Sequence, residues 1–488
     1  MAEHTAAGLS PAQVQAAVDL CSPGDTAVLP AGTYNGFNTG IHVPIGISLR
    51  GAGKGVTVLN KTSTTANSYI FNWPEGAGSS YPITIHGMTL HGADDQSTDD
   101  TGIYIDWVTT GTPFHDLKIY DMEIHGFGYA GIKIQGWVTG VIYDCDIINN
   151  YRAGYGYGIG YTGIYPGESS GHFGDYSWTT WPANTNPGWG GNQFLFIEDC
   201  YFSGNRHDID GSWGAKYVAR YNTCAGTNPG GWDAHINTHS RNPFDSGNRG
   251  PRATEIYHNT IAISHYEDGI TTQNGDSLIW NNALTGSMSG GHGITLTDGA
   301  YTGDVGDYPA SDQIRGSYVW GNTQNGVDCD SDNYPAVNPG VGNWAPLWLV
   351  KERDFHLHER SGYIPYTYPH PLRSGSGTSV TVTPTVHGGH LDLLADTVST
   401  GLILGVYHHD LTATIPTCTI LTGGGITNVT SYPSVQSLLS AIQACSVSSQ
   451  QILAMTTAQQ LRATLPTCTV VAQSAAPMRS DVTIRLGE

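Results

Sequence analysis

IYDCDIINN (Ile142–Asn150) and IEDCYFSGN (Ile197–Asn205) are two copies of one nine-residue window, and their shared columns decide how the chain folds. Further copies flank them: IHGMTLHGA from Ile85, IYDMEIHGF from Ile119, ARYNTCAGT from Ala219, IYHNTIAIS from Ile256, IWNNALTGS from Ile279 and VWGNTQNGV from Val319. The closest starts lie 22 or 23 residues apart, and wider gaps are that unit plus an insertion. The first column is almost always apolar, the sixth holds Ile124, Ile147, Phe202, Ile261 and Leu284, and the fourth ends in Asn222, Asn259, Asn282 and Asn322. A self-similar period of this length marks a solenoid whose coils stack over one continuous core.

A second strand pattern follows the windows after Gly or Asp: GIYID at Gly102, GIKIQ at Gly131, DIDGS at Asp208, DAHIN at Asp233, GITTQ at Gly269, GITLT at Gly293 and GVDCD at Gly326. Strand side chains alternate, so Ile103, Ile132, Ile209, Ile270 and Ile294 share one face and their neighbours the other. The Asn column predicts a side-chain ladder that satisfies turn amides.

With these repeats the sequence resembles the pectate-lyase-like right-handed parallel β-helix superfamily. The start, SPAQVQAAVDLCSPGDTAVLPAGTYNG, is similar to its usual entry: a capping helix over about residues 10–20, then a first strand. Ser10 and Pro11 suit the N-cap and N1 positions, with Val14, Ala17 and Val18 on one apolar face. GYIPYTYPHPL (Gly362–Leu372) resembles the closing segment of bacterial and viral β-helix proteins. The fold expected is all-β: a right-handed parallel β-helix over 1–373 with an N-terminal capping helix, followed by a small C-terminal α+β domain over 378–488. That domain carries an apparent duplication, TATIPTCTIL from Thr412 and RATLPTCTVV from Arg462, with helical spacing in SVQSLLSAIQAC and SSQQILAMTTAQQLRA between. SGSG after Arg373 reads as the linker.

Charge narrows the partners. Twenty Lys and Arg against 41 Asp and Glu give a net charge of −21, which argues against nucleic acid and polyanions. No apolar run reaches the ~18 residues of a membrane span. MAEHTAAGLS lacks the basic start and apolar stretch of a secretory signal, so none is expected. The eight Cys are too sparse for a disulfide scaffold. Cys145 and Cys200 share the fourth column and would stack one coil apart, as a disulfide or as a thiol ladder. Cys418 and Cys468 occupy equivalent places in the duplication and are the first choice for a pair.

Several motifs carry no chemistry. GAGKG at Gly51 lacks the full phosphate-loop pattern, and HLHER at His356 is not HExxH. The acidic run DDQSTDD (Asp94–Asp100) reads as a solvated loop, so no cofactor and no metal is expected, Ca²⁺ there being the alternative. His387, His390, His408 and His409 have no recognised ligand spacing.

The insertion over 151–190 is dense in aromatics, among them Tyr161, Tyr165, Trp178, Trp181 and Trp189. Flat rings with polar rims suit sugar faces and protein partners alike. The edge of the second strand collects the candidate chemistry: His207 and Asp210, then Trp232, Asp233 and His235, then Glu267 and Asp268, then His292. The last three resemble the paired-acid and GHG motifs of polygalacturonase-type hydrolases. That resemblance implies Glu267 and Asp268 as carboxylates for inverting hydrolysis, with His292 orienting the site and Asp233 and Asp210 nearby. Trp232 stands where that family has an Asp, and its RIK motif is missing. His207, Trp232 and His235 join the aromatics as substrate-binding candidates. A lyase would need an Arg or Lys base and cation or Ca²⁺ neutralisation of a uronate; Arg206, Arg220 and Arg241 lie nearby, but so do five carboxylates, and that reading is weaker.

The leading expectation is a virion-associated, tailspike-like or surface-exposed protein that recognises host or environmental polysaccharide. It would be extracellular or on the virion surface, as a homo-oligomer or beside other virion proteins. The alternatives are a secreted polysaccharide hydrolase or lyase, and a purely structural decoration protein.

Overall fold

A computed structural model describes residues 1–374 except 64–67, 75–80, 96, 98, 107–113, 153, 155, 164–186, 227–233, 239–249, 264–267, 287–292, 298–313, 330–335 and 338–348, and beyond them short strands between 380 and 486. The chain divides into two compact units, Met1–Arg373 and Ser374–Glu488.

The first unit is a parallel β-helix. Windows align as their columns require: Ile85, Ile119, Ile142, Ile197, Ala219, Ile256, Ile279 and Val319 are successive register partners. The sixth column likewise runs Leu90, Ile124, Ile147, Phe202, Cys224, Ile261, Leu284 and Gln324. A full coil has three strands, for example Leu195–Glu198, Tyr201–Ser203 and His207–Ser212. Third strands form their own ten-stranded sheet, in which Ile103, Ile132, Ile159, Ile209, Ile236, Ile270 and Ile294 stack in register inside the core. Parallel strands with crossovers of this kind wind right-handedly, the sense strand twist imposes.

The bend inside each window explains its third column. Gly87, Asp121, Asp144, Asp199, Tyr221, His258, Asn281 and Gly321 all have φ between 51° and 75°. Gly, Asp and Asn enter this left-handed region most readily. Tyr221 is held there between His258, 5.0 Å away by ring centroids, and Tyr368, at 3.8 Å.

Next in sequence, the fourth column forms the expected ladder. Each Asn side-chain oxygen accepts from the backbone N–H and side-chain amide of the Asn one coil earlier: Asn222 to Asn259, both 3.0 Å, Asn259 to Asn282, 3.1 and 2.9 Å, and Asn282 to Asn322, 2.9 and 2.8 Å. The Cys200 N–H starts it by donating to Asn222 at 3.0 Å. Cys145 and Cys200 continue the column as buried free thiols, not a disulfide, and burial pushes the Cys200 thiol well up. A second, shorter ladder runs from Asn150 to Asn205, whose amide reaches Asp208 at 2.8 Å.

The two ends differ. Helix Pro11–Val18 starts at Ser10, whose hydroxyl and N–H meet the Gln13 side chain, and it buries Val14, Ala17 and Val18. Gln15 ties it to the His42 backbone. A strand before the helix, Glu3–Thr5, pairs with Thr26–Val28. At the far end GVDCD departs from the expected coil: Val327–Asp328 turns back antiparallel on Thr323–Gln324. Asn325 and Gly326, both at positive φ, make the two-residue hairpin turn that Asn-Gly favours. The third-strand sheet instead continues with Ala336–Val337.

Tyr157–Thr162 is also a third strand, placed between Ala130–Gln135 and His207–Ser212. The stretch over 151–190 therefore begins with a regular rung.

The second unit's described residues form four two-stranded sheets. The duplicated motifs start equivalent strands, Cys418–Ile420 against Ile484–Leu486 and Cys468–Val470 against Val380–Val382. Ile452–Leu453, within a segment of helical spacing, pairs with Val429–Thr430. The pairing of Cys418 with Cys468, and His408 and His409, lie outside the described residues. Among the described residues no helix is long and apolar enough to cross a membrane.

Candidate functional site

Two outer surfaces of the β-helix collect polar groups, and they differ in what those groups do. Over the first strands of the windows lies the segment Gly362–Arg373, which the sequence identifies only as a closing segment. Glu198 and Arg220 meet beneath it at 2.7 Å, both fully buried. The Arg220 guanidinium also donates to the Tyr257 hydroxyl and to the backbone carbonyls of Tyr366 and Thr367 at 2.6–2.9 Å. Tyr363 donates to Glu255 at 2.5 Å, Tyr368 donates to Asp199, and Arg373 pairs with Asp199 and Glu198. Its guanidinium lies over Tyr143 at 4.5 Å. Burial raises the Glu255 carboxyl and lowers the His370 imidazole to about 3, Arg220 and Arg373 adding to the latter. The second column supplies stacked rings, His86 on Tyr120 on Tyr143 and Tyr257 on Trp280 on Trp320. Arg220 is thus a structural residue, fully buried and committed to four partners, and lyase chemistry through it is excluded.

Beside this surface is a cleft of ≈ 380 Å³ lined by Lys54, Asp144, Asp146, Asp199 and Tyr221 among others. Lys54 pairs with Asp146 at 2.6 Å, and Arg373 takes Asp144 and Asp199. Its charges are spent internally.

The outer face of the third-strand sheet is the better site. Between the inward Ile column and the next inward position, alternation turns Tyr104, Lys133, Gly160, Asp210, Asn237, Thr271 and Thr295 outward in register. Asn237 donates to Asp210 at 3.0 Å, Lys133 to Thr162 at 2.7 Å, and Thr271 to Asp268 at 2.9 Å. Tyr104 donates to Gln135 and Asp106. Asp210, Asn237 and Thr271 form a buried floor, while Tyr104, Asp106, Lys133 and Asp268 are half-buried. At a strand spacing of ~4.8 Å, the stripe from Tyr104 to Thr295 is roughly 29 Å long.

This register sorts the candidate residues. Asp210 and Asp268 lie on this face, but two coils and three positions apart, roughly 14 Å by strand geometry. His207 flanks the stripe, stacked on Tyr157, with Nδ1 2.7 Å from the Ala234 carbonyl. His235 is elsewhere. The column before the inward Ile is Gly102, Gly131 and Gly158, then Asp208 and His235, then Gly269 and Gly293. A Cβ at Gly158 would lie 2.5 Å from the Asp208 carbonyl and 3.1 Å from Phe202, so side chains here turn towards the core. His235 Nδ1 and Asp208 meet at 2.7 Å with 2% exposure or less in both residues, and Asp208 also reaches the buried Cys224. His235 is therefore a core residue, not part of the outer stripe.

Tyr161 is likewise corrected. It faces inward at 2% exposure, its hydroxyl donating to the Val138 carbonyl and accepting from the Val138 N–H. Trp189 packs beside Phe194 on the opposite surface, over the window strands. Glu267, His292, Asp233, Trp232, Tyr165, Trp178 and Trp181 lie outside the described residues. Sequence reading missed Tyr104, Lys133, Asn237 and Thr271, although each follows the Ile of a recognised strand by one residue.

In the acidic run, Asp94 meets His91, Asp99 meets Arg152 at 2.5 Å, and buried Asp100 meets Lys61 at 3.4 Å and accepts from the Gly128 N–H. These carboxylates face separate partners.

No protein-family model matches the chain, and no curated protein matches it in sequence. Solved structures of similar fold include the mannuronan C-5 epimerase AlgE4 A-module of Azotobacter vinelandii, at 16% identity and TM-score 0.39, covering 66% of this chain and 88% of that one. The alginate lyase of Paenibacillus sp. str. FPU-7 has 16% identity and TM-score 0.39, with coverage of 67% and 96%. ORF18 of Geobacillus virus E2 has 14% identity and TM-score 0.37, with coverage of 82% and 64%. What this chain has in common with them is the parallel β-helix.

Proposed function

We propose that the protein recognises a polysaccharide along the outer face of the third-strand sheet. The observation that carries this reading is the registered stripe of Tyr104, Lys133, Asp210, Asn237 and Thr271. Half-buried hydroxyl, ammonium and carboxylate groups of Tyr104, Lys133, Asp106 and Asp268 stand on this face around a floor of Asp210, Asn237 and Thr271, a set suited to an extended hydroxyl-rich polymer. One Lys faces the carboxylates Asp106, Asp210 and Asp268, so the stripe favours neutral over polyanionic chains. The surface is fixed by the coil stack and needs little ordering on binding. The finer reading is a tailspike-like surface protein acting outside the cell or on a virion.

The test is binding of the full chain to a panel of neutral and acidic polysaccharides, with reducing-end release measured in parallel. Binding to a neutral glycan, lost in Lys133→Ala and Tyr104→Phe, supports recognition. Release abolished by Asp268→Asn would make the protein a hydrolase. Binding unaffected by both stripe variants would remove the site from this face.

A further inference from the structure

Outside the stripe, the last strand of the window sheet carries HLH, which fits no helical zinc motif. Strand geometry gives it a different reading. In Phe355–Leu357 the chain alternates: Phe355 is 5% exposed and Leu357 packs against the core, so His356 and His358 both turn outward. His356 pairs in register with Tyr318 and stacks on its ring at 4.5 Å. The preceding turn brings Glu352 back to the same side. Buried Asp354 pins that turn, accepting from the Val350 N–H at 2.8 Å.

The donor atoms converge. Glu352 Oε2 lies 3.1 Å from His356 Nδ1 and 3.6 Å from His358 Nε2, and all three ligand atoms fall within 4.8 Å of one another. Bonds of ~2.0–2.1 Å in a tetrahedral site imply donor separations of about 3.3 Å, which the first two distances bracket. His358 Nδ1 is 3.0 Å from the Glu359 carbonyl. Donation there puts the proton on Nδ1 and leaves Nε2 with a lone pair towards Glu352, the arrangement by which backbone carbonyls orient ligating imidazoles. Glu352 and His358 are exposed, so a fourth position opens to solvent. Among the described residues no other group of three such side chains converges this way.

We infer that Glu352, His356 and His358 form a binding site for a divalent transition metal of the zinc class, held by two imidazoles and one carboxylate at the C-terminal end of the β-helix. Two nitrogen donors disfavour Ca²⁺ and Mg²⁺, which take oxygen sets. The inference is independent of the glycan reading.

The experiment uses the untagged full-length chain, stripped with a chelator and titrated with Zn²⁺, and with Co²⁺ for its visible absorption. Wild type should bind one more equivalent than His356→Asn/His358→Asn. Removing even an outer-shell partner weakens metal sites by about 10–100-fold, so Glu352→Gln, an exposed and isosteric change, should weaken this equivalent roughly tenfold or more. The Co²⁺ spectrum of a tetrahedral site should vanish in the double variant, with circular dichroism unchanged. Equal Zn²⁺ uptake by wild type and double variant, or Ca²⁺ binding there as tightly as Zn²⁺, would overturn the site. His387, His390, His408 and His409 remain in every variant and so cancel.

Discussion

The surface under Gly362–Arg373 and the outer face of the third-strand sheet are built from the same coils but use polar groups in opposite ways. Under the closing segment, the adjacent-rung pair Glu198 and Arg220, together with Glu255, is completed by Tyr363, Tyr366, Thr367 and Arg373 from a distant stretch of chain. On the third-strand face, Asp210, Asn237, Thr271 and Lys133 bond mostly to near neighbours in adjacent rungs. The first arrangement locks the solenoid; the second presents chemistry. Polarity alone did not distinguish them; the covering of the first by Gly362–Arg373, more than a hundred residues away, did.

Breaking the locked surface should have the largest effect. Arg220→Met removes the fully buried partner of the Glu198 carboxylate, leaving it only Arg373 and the His370 N–H, and strands two backbone carbonyls of the closing segment. Loss of one partner of such a pair costs about 3–5 kcal/mol. The urea midpoint should fall accordingly with the slope retained, and a change under 1 kcal/mol would mean that the closing segment contributes little to the coil stack.

The interior comes next. In Asn259→Ala the Asn222 N–H and side-chain amide lose their acceptor within the core. Buried donors left unmet cost about 1–3 kcal/mol, again read from the urea midpoint. A neutral outcome would show that the ladder's bonds are replaced by water.

How much of this was legible follows from period. The windows, their register and the Asn ladder repeat, and repetition averages out the ambiguity of any single short strand. The capping helix carried local signals at Ser10 and Pro11 and an apolar face at Val14, Ala17 and Val18 that sufficed. Gly362–Arg373 carries no period, so its destination on Glu198 and Arg220, over a hundred residues away, could not be read. His235 was misplaced because a His on a strand suggests a surface, while its column is otherwise Gly and Asp208 and turns inward. The hairpin at Asn325–Gly326 was legible: the dipeptide names its turn, and the repeat pattern overrode it. Glu352, His356 and His358 escaped because ligand spacing was sought along the sequence rather than across a strand and its turn.

Acid sharpens the contrast further. His370 is the buried imidazole of the closing segment itself, and its Nδ1 accepts the Leu372 N–H at 3.2 Å. Its folded value of about 3 lies below the ordinary ~6.5, so the unfolded chain takes the proton first. Stability from the neutral ring is fully present above ~6.5 and lost as pH falls towards 3. The slope is up to about 1.4 kcal/mol per pH unit. His370→Asn keeps an acceptor without a titrating ring, so its stability should fall less between pH 6.5 and 4. The raised carboxyls of Glu255, Asp276 and Asp100 act in the opposite sense but are common to both proteins. Parallel pH profiles would remove His370 as the source.

The smallest stability effect should come with the largest loss of binding. Lys133 is half-buried on the third-strand face, donating to Thr162 at 2.7 Å with its ammonium 5.6 Å from the Tyr129 ring centroid. Neither contact reaches a distant stretch of chain, and exposed or half-exposed substitutions of this kind stay within about 0.5 kcal/mol in stability. A hydrogen bond from an ammonium to a bound polymer is worth about 1.5–3 kcal/mol. Lys133→Ala should therefore leave the urea midpoint nearly unchanged while weakening glycan binding roughly tenfold or more, whereas Arg220→Met should do the reverse at conditions where it stays folded. If Lys133→Ala instead destabilises the protein as Arg220→Met does and leaves binding intact, the two faces are both locks, and the recognition surface lies elsewhere on the coil stack.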